Sequence, residues 1–127
     1  MDQKRILVVD DEPGITTLVK LNLEKTGRYE VETRNDPDAA VAAARDFKPD
    51  LILLDIVMPG KDGGELLAEL QADDELKNTP VMFLTATLTD RGVDARQGTI
   101  KGFPFIAKPV EPKNLMKRID QVLAQNK

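Results

Sequence analysis

The stretch that decides the fold is PDLILLDIVMPGKDG, residues 49 to 63. Its first half contains an unbroken run of four apolar residues, Leu51 to Leu54, which ends on the carboxylate of Asp55. An uninterrupted apolar run of this length is typical of a strand that is covered on both faces, as in a parallel sheet. The segment therefore predicts a central strand that is followed by a polar loop.

Short apolar runs alternate with helical patterns along the rest of the chain. Further strands are predicted at residues 5–9, 29–33, 81–86 and 103–107, and Pro104 within the last of these indicates a sheet edge. Helices are predicted from Pro13 until Gly27 ends the first, from 35–37 to about Phe47, through residues 66–70, and from Pro112 onward. A weak or partly irregular helix is predicted between residues 87 and 102. Five strands alternating with five helices predict a single α/β domain over residues 1–127, with helices on both faces of a parallel sheet.

Composition excludes several classes of protein. The chain has 127 residues, a net charge of -4, and neither cysteine nor histidine. Disulfides, thiolate chemistry, Cys/His zinc sites and histidine bases are therefore excluded. The acidic balance argues against direct nucleic-acid binding, which normally needs a basic face. No long apolar stretch or signal-peptide core is present, so we expect no membrane association and a cytoplasmic location.

Reactive side chains follow the predicted strands at their carboxyl ends, where ligands bind in open parallel sheets. Each of them alone would be an ordinary helix cap, strand end or surface residue, but together they form a compatible set: Asp10, Asp11, Asp55, Thr85 and Lys108. Clustered carboxylates suit Mg²⁺, which would relieve their mutual repulsion. Asp55 could then act as a nucleophile toward phosphorus and form an aspartyl phosphate, with Lys108 and Thr85 contacting the phosphoryl oxygens.

Four motifs carry a family resemblance: ILVVDDEP at 6–13, the 49–63 stretch, PVMFLTA at 80–86 and FIAKPV at 105–110. Together they resemble the receiver domain of response regulators in two-component signalling, over essentially the whole chain. The resemblance implies a flavodoxin-like (βα)5 fold with strand order 2-1-3-4-5, an order for which a receiver is a standard example. It also implies a signalling switch rather than an enzyme, assisting only its own phosphorylation and dephosphorylation.

The resemblance also implies a role for each matching position. Asp55 would be the phosphoacceptor, and Mg²⁺ would be held by that residue, Asp10, Asp11 and the backbone carbonyl of Val57. Thr85 and Lys108 would bind the phosphoryl group. Thr85 and Phe105 would form the switch, with Phe105 turning inward on activation, although a permanently buried Phe105 is the plain alternative.

The implied partners are a sensor histidine kinase or histidine phosphotransfer protein, which donates the phosphoryl group, and a downstream protein target. A homodimer is a further expectation. One region departs from the family pattern: residues 87–105 carry three glycines and Pro104 where relatives have an alanine-rich helix. Because glycine disfavours helix by about 1 kcal/mol relative to alanine, we expect an irregular or mobile segment there.

Alternatives remain open at this stage. The chain could be the excised receiver of a larger response regulator or hybrid kinase, or a receiver-like module that binds partners without phosphate. A phosphatase of the haloacid-dehalogenase type also uses an aspartyl phosphate, but it carries a second acid two positions after the nucleophile, where this chain has Val57. A nucleotide-binding flavodoxin-like module would need a glycine-rich phosphate loop, which the sequence lacks.

Overall fold

A computed structural model of the chain describes residues 3–56, 58, 60–85, 93–94, 99–100, 103–108 and 110–125. In chain order the strands are β1 (Lys4–Val9), β2 (Tyr29–Arg34), β3 (Leu51–Asp55), β4 (Val81–Thr85), β5 (Val93–Asp94), β6 (Thr99–Ile100) and β7 (Phe103–Ala107). The five longer strands are parallel to their neighbours, in the order β2-β1-β3-β4-β7. This confirms the predicted order 2-1-3-4-5, with β7 as the fifth parallel strand.

Four helices within the described residues connect or follow these strands: α1 (Pro13–Glu24), α2 (Ala40–Phe47), α3 (Gly63–Ala72) and α4 (Pro112–Gln125). A short 3-10 turn at Pro37–Ala39 precedes α2, and the Asp36 carboxylate at its start accepts a hydrogen bond from the Asp38 amide. The Asp62 carboxylate caps α3 by accepting a hydrogen bond from the Glu65 amide at 2.8 Å. Such caps satisfy amides that have no partner inside the helix.

Two hydrophobic cores lie on opposite faces of the sheet. One contains Leu7, Ile52 and Phe83 and is covered by α2 and α3. The other contains Val8 and Leu53 and is covered by α1 and α4. Because successive strand residues point to opposite faces, the unbroken apolar runs supply both cores at once. The prediction of helices on both faces is therefore confirmed.

The helix predicted between residues 87 and 102 is wrong for the part of that segment that the structure describes. Residues 93–94 and 99–100 form β5 and β6, which pair antiparallel with each other, and β6 pairs antiparallel with β7. The physical reason is that β7 ends the parallel sheet and would otherwise present unpaired backbone groups, which a short added strand satisfies. The edge predicted from Pro104 is thus the edge of the parallel part only, since Thr99 lies opposite Pro104. The expected irregularity of residues 87–92, 95–98 and 101–102 lies outside the described residues.

Within the ranges that the structure describes, the helices are either too short or too polar to cross a lipid bilayer.

Candidate functional site

The carboxyl ends of the central parallel strands meet at one edge of the sheet. Val9 of β1 lies opposite Leu54, and Asp55 of β3 lies opposite Leu84. Thr85, which ends β4, lies opposite Ala107, the last residue of β7. The residues that end or follow these strands therefore face a common edge, and they include both Asp10 and Lys108.

Lys108 is the cation of the cluster. Its Nζ lies 2.7 Å from Oδ2 of Asp10 and 3.4 Å from Oδ2 of Asp55. The Lys108 side chain is only 9% exposed, and those of Asp10 and Asp55 are 0% and 6% exposed. The Lys108 amide also donates a hydrogen bond to the Thr85 carbonyl at 2.8 Å, which fixes the start of the side chain beside β4. One ammonium thus lies between two buried carboxylates.

The charge state of Lys108 follows from these neighbours. Burial alone would lower its pKa, because a buried ammonium loses its hydration. The carboxylate of Asp10, followed by those of Asp55 and Glu12, outweighs burial and raises the pKa of Lys108 above its ordinary value. Lys108 is therefore a permanent cation at neutral pH.

Three carboxylates converge beside this lysine. One oxygen from each of Asp10, Asp11 and Asp55 lies within 4.8 Å of the other two. Oδ2 of Asp10 is fully buried, and it faces the Lys108 ammonium at 2.7 Å. A hard oxygen donor set of this kind fits a small divalent cation such as Mg²⁺.

Hydrogen bonds hold both the side chain and the backbone of Asp10. Its Oδ1 accepts a hydrogen bond from the Glu12 amide at 3.0 Å. The Asn35 side-chain amide, at the end of β2, donates to the Asp10 carbonyl at 2.8 Å and to Oγ1 of Thr16 at 3.0 Å. Asp10 therefore has a fixed backbone and one fixed carboxylate oxygen.

The loop that follows Asp55 is anchored at both of its ends. The Ile56 amide donates to the Leu84 carbonyl at 3.2 Å, which extends the pairing of β3 with β4 by one residue. The Gly63 amide, at the start of α3, donates to the Ile56 carbonyl at 2.7 Å. Lys61 forms ion pairs with Asp38 at 3.0 Å and with Glu69 at 2.6 Å, so the loop is also tied to α3 and to the turn before α2.

The remaining predicted site residues have these positions. Thr85 is 3% exposed at the end of β4. Phe105 is half-buried in β7, opposite Phe83, and packs against the core beneath α2 and α3. Val57, whose backbone carbonyl is a predicted metal ligand, lies outside the described residues. The structure thus brings Asp10, Asp11, Asp55 and Lys108 together and places Thr85 at the same edge.

Sequence analysis gave no site role to two residues that contact this cluster. Glu12 Oε1 lies 3.5 Å from Nζ of Lys108, and Asn35 holds the Asp10 backbone. A signal for Asn35 exists in the sequence, because it lies two residues after the predicted second strand, which ends at residue 33, and so near the same sheet edge. Its sequence neighbours predict only the start of a helix.

The fold and the site define a class: flavodoxin-like α/β domains with an acidic, lysine-containing site at the carboxyl edge of the sheet. The family described as "Response regulator receiver domain" matches residues 6–120. The chain therefore belongs to the response regulator receiver family, and it is a receiver domain of two-component signalling. Members of this family are signalling switches rather than enzymes in the usual sense.

The chain is also similar to individual response regulators. The chain is 41% identical over 124 residues to protein PilH of Pseudomonas aeruginosa, covering 94% of this chain and 98% of PilH. The crystallised chemotaxis protein CheY4 of Vibrio cholerae superposes with a TM-score of 0.83 at 30% identity, covering 95% of this chain and 99% of CheY4. The chain spans about half the length of several other curated relatives, which include transcriptional regulators.

One similar solved structure contains a magnesium ion. The receiver domain of a sensor histidine kinase from Pseudomonas aeruginosa has a magnesium ion coordinated in its active site cleft. It superposes with a TM-score of 0.81 at 27% identity and covers 97% of this chain and 99% of that one.

Proposed function

We propose that this chain is a phosphorylation-activated switch in which Asp55 accepts a phosphoryl group from a sensor histidine kinase or a histidine phosphotransfer protein. The observation that carries the proposal is the buried ammonium of Lys108, 3.4 Å from Oδ2 of Asp55 and beside two further carboxylates. The given sequence contains no histidine, so the phosphohistidine that donates the group lies outside these 127 residues.

In the transfer step, a carboxylate oxygen of Asp55 attacks phosphorus and forms a P–O bond. The P–N bond to the donor imidazole breaks, and its electron pair returns to the imidazole nitrogen, which then takes up a proton. Phosphoryl transfer needs alignment and neutralisation of charge more than covalent assistance. Lys108 neutralises charge on one phosphoryl oxygen, and the Thr85 hydroxyl donates a hydrogen bond to another.

Asp10, Asp11 and Asp55 would hold Mg²⁺, with the Val57 carbonyl as a further ligand. When bound, Mg²⁺ supplies positive charge that offsets the carboxylates and the phosphoryl oxygens. Support comes from the convergence of one oxygen from each of these three carboxylates within 4.8 Å, and from the magnesium-bound receiver of Pseudomonas aeruginosa. Asn35 and the Glu12 amide keep Asp10 oriented toward this position.

The added charge, about -1.5 to -2 for a phosphoryl group at pH 7, would favour the conformation in which Thr85 and Lys108 contact it. Phe105 would then turn further inward and alter the surface around β7 that binds a protein target. Its half-buried position on β7, one strand from β4, supports this role. We propose a protein target rather than nucleic acid because the net charge is -4. We also propose that phosphoryl transfer takes place in the cytoplasm, where a kinase has ATP.

Intact-mass measurement after incubation with acetyl phosphate and Mg²⁺ tests the proposal. We expect one phosphoryl group on the wild-type protein, none on Asp55→Asn, and none when the divalent cation is chelated. Asp50→Asn is the matched control, because this exposed aspartate directly precedes β3, at the end of the strand opposite to Asp55. Its labelling should equal that of the wild type. Labelling of Asp55→Asn would contradict the proposal.

A further inference from the structure

Gly63, the first residue of α3, lies directly against the backbone of the proposed phosphoacceptor. A Cβ atom at this position would fall 2.6 Å from the carbonyl oxygen of Asp55 and 2.9 Å from Cα of Ile56. Gly63 is buried, and its φ is not in the left-handed region, so the backbone conformation itself does not require glycine here. The requirement is for space beside Asp55.

Neither side of this contact can move easily. The atoms on the strand side are backbone, Asp55 ends the central strand β3, and the Ile56 amide is bonded to the Leu84 carbonyl. On the helix side, the Gly63 amide is bonded to the Ile56 carbonyl at 2.7 Å. A flexible side chain could turn away from a new methyl group, but these hydrogen-bonded backbone segments cannot separate without straining the bonds that hold them.

We propose that Gly63 is a positioning residue for phosphoryl transfer: its missing side chain lets α3 pack against the Asp55 carbonyl and so fixes the acceptor carboxylate relative to Lys108. This inference rests on the proposed function of Asp55. A methyl group at residue 63 forces the Asp55–Ile56 backbone and α3 apart by several tenths of an ångström. The acceptor carboxylate, which sits 3.4 Å from Nζ of Lys108, then leaves its aligned position.

The test is the rate constant for labelling by acetyl phosphate, measured over a range of Mg²⁺ concentrations. Because a misplacement of about 1 Å can cost about 100-fold in rate, we expect Gly63→Ala to label roughly tenfold or more slowly at saturating Mg²⁺. Gly14→Ala is the matched control. Gly14 also lies in the first turn of a helix that follows the site, but a Cβ there meets nothing within 4 Å. We expect it to label at the wild-type rate.

A second variant separates positioning from loss of stability. Leu70, near the end of α3, is buried in the core but lies two turns away from Gly63. Leu70→Ala should lower the denaturation midpoint while the folded protein keeps the wild-type labelling rate. Circular dichroism under the labelling conditions gives the folded fraction of each variant.

Each outcome has a defined meaning. If Gly63→Ala is folded and slow while the other two variants label normally, the proposal is supported. It is overturned if Gly63→Ala labels at the wild-type rate, if it is no slower than Leu70→Ala, or if it does not fold, because a positioning role requires a native fold with reduced reactivity. Failure of the wild-type protein to label would instead overturn the proposed function of Asp55.

Discussion

Replacing Lys108 with methionine should make the stability of this protein strongly dependent on divalent cations. Methionine keeps an apolar stem of similar length but removes the ammonium that contacts two buried carboxylates at 2.7 and 3.4 Å. Removing one partner of a buried ion pair costs about 3–5 kcal/mol, because the remaining charge stays buried without compensation. We therefore expect the free energy of unfolding of Lys108→Met to be about 3–5 kcal/mol lower than that of the wild type when Mg²⁺ is absent.

Repulsion within the acidic cluster gives a magnitude of the same order. Two unit charges 4.8 Å apart, the outer limit for the three carboxylate oxygens, repel by about 3.5 kcal/mol at an effective dielectric constant of about 20. A domain of this size has a total stability of about 5–15 kcal/mol, so the variant should still fold. Added Mg²⁺ should stabilise Lys108→Met more than the wild type, because the variant has lost its internal counterion.

Urea denaturation followed by circular dichroism, in chelator and in saturating Mg²⁺, measures both effects. Lys77→Met is the control. Lys77 also pairs with an aspartate, at 3.7 Å, but its side chain is 52% exposed and that of Asp74 is 99% exposed. Exposed pairs of this kind contribute about 0–1 kcal/mol. The reasoning is refuted if Lys108→Met is as stable as Lys77→Met in chelator, or if Mg²⁺ stabilises it no more than the wild type.

Two further predictions concern residues near the sheet. Tyr29, the only tyrosine, donates a hydrogen bond to Asp120 at 2.7 Å, and burial together with this carboxylate raises its pKa to about 12. The unfolded chain loses this proton near pH 10 and the folded protein near pH 12. The stabilisation that comes from the protonated Tyr29 is therefore fully present below pH 10 and is lost as the pH rises toward 12. Ultraviolet titration of the phenol should give a pKa of about 12, and a lower one in Asp120→Asn; an unshifted phenol in the wild type would disprove this. Asn35→Ala removes the hydrogen bond to the Asp10 carbonyl and should cost about 1 kcal/mol in urea denaturation and weaken Mg²⁺ binding in calorimetry. The exposed Asn114→Ala should do neither, and equal Mg²⁺ affinities for the two variants would contradict this role.

The central part of the fold could be predicted because its sequence signals are local and redundant. Residues 51–54 form an apolar run that is typical of a strand covered on both faces. Asp55 and Lys108 follow strands, and parallel strands bring their carboxyl ends to one edge, so periodicity alone indicated that they would be close. The 3.4 Å separation of their charged atoms agrees with that expectation.

Other features depended on contacts that no local pattern encodes. The pairing of β6 with β7 depends on an open backbone edge, and the glycines around residues 93–100 gave no sign of a strand. The Asn35 side chain donates a hydrogen bond to the Asp10 carbonyl between the ends of two neighbouring strands, while its sequence neighbours indicate only a helix start. The closeness of Gly63 to Asp55 arises from the packing of α3 on β3, which depends on tertiary structure and not on the glycine itself.

The most direct test of the central claim is the location of the phosphoryl group within the labelled protein. Borohydride reduces an aspartyl phosphate to homoserine, so proteolysis and tandem mass spectrometry after labelling identify the acceptor by its new side chain. The account predicts homoserine at position 55 alone. Homoserine at Asp10 or Asp11 instead, or a stable phosphoryl group on a hydroxyl residue, would contradict it.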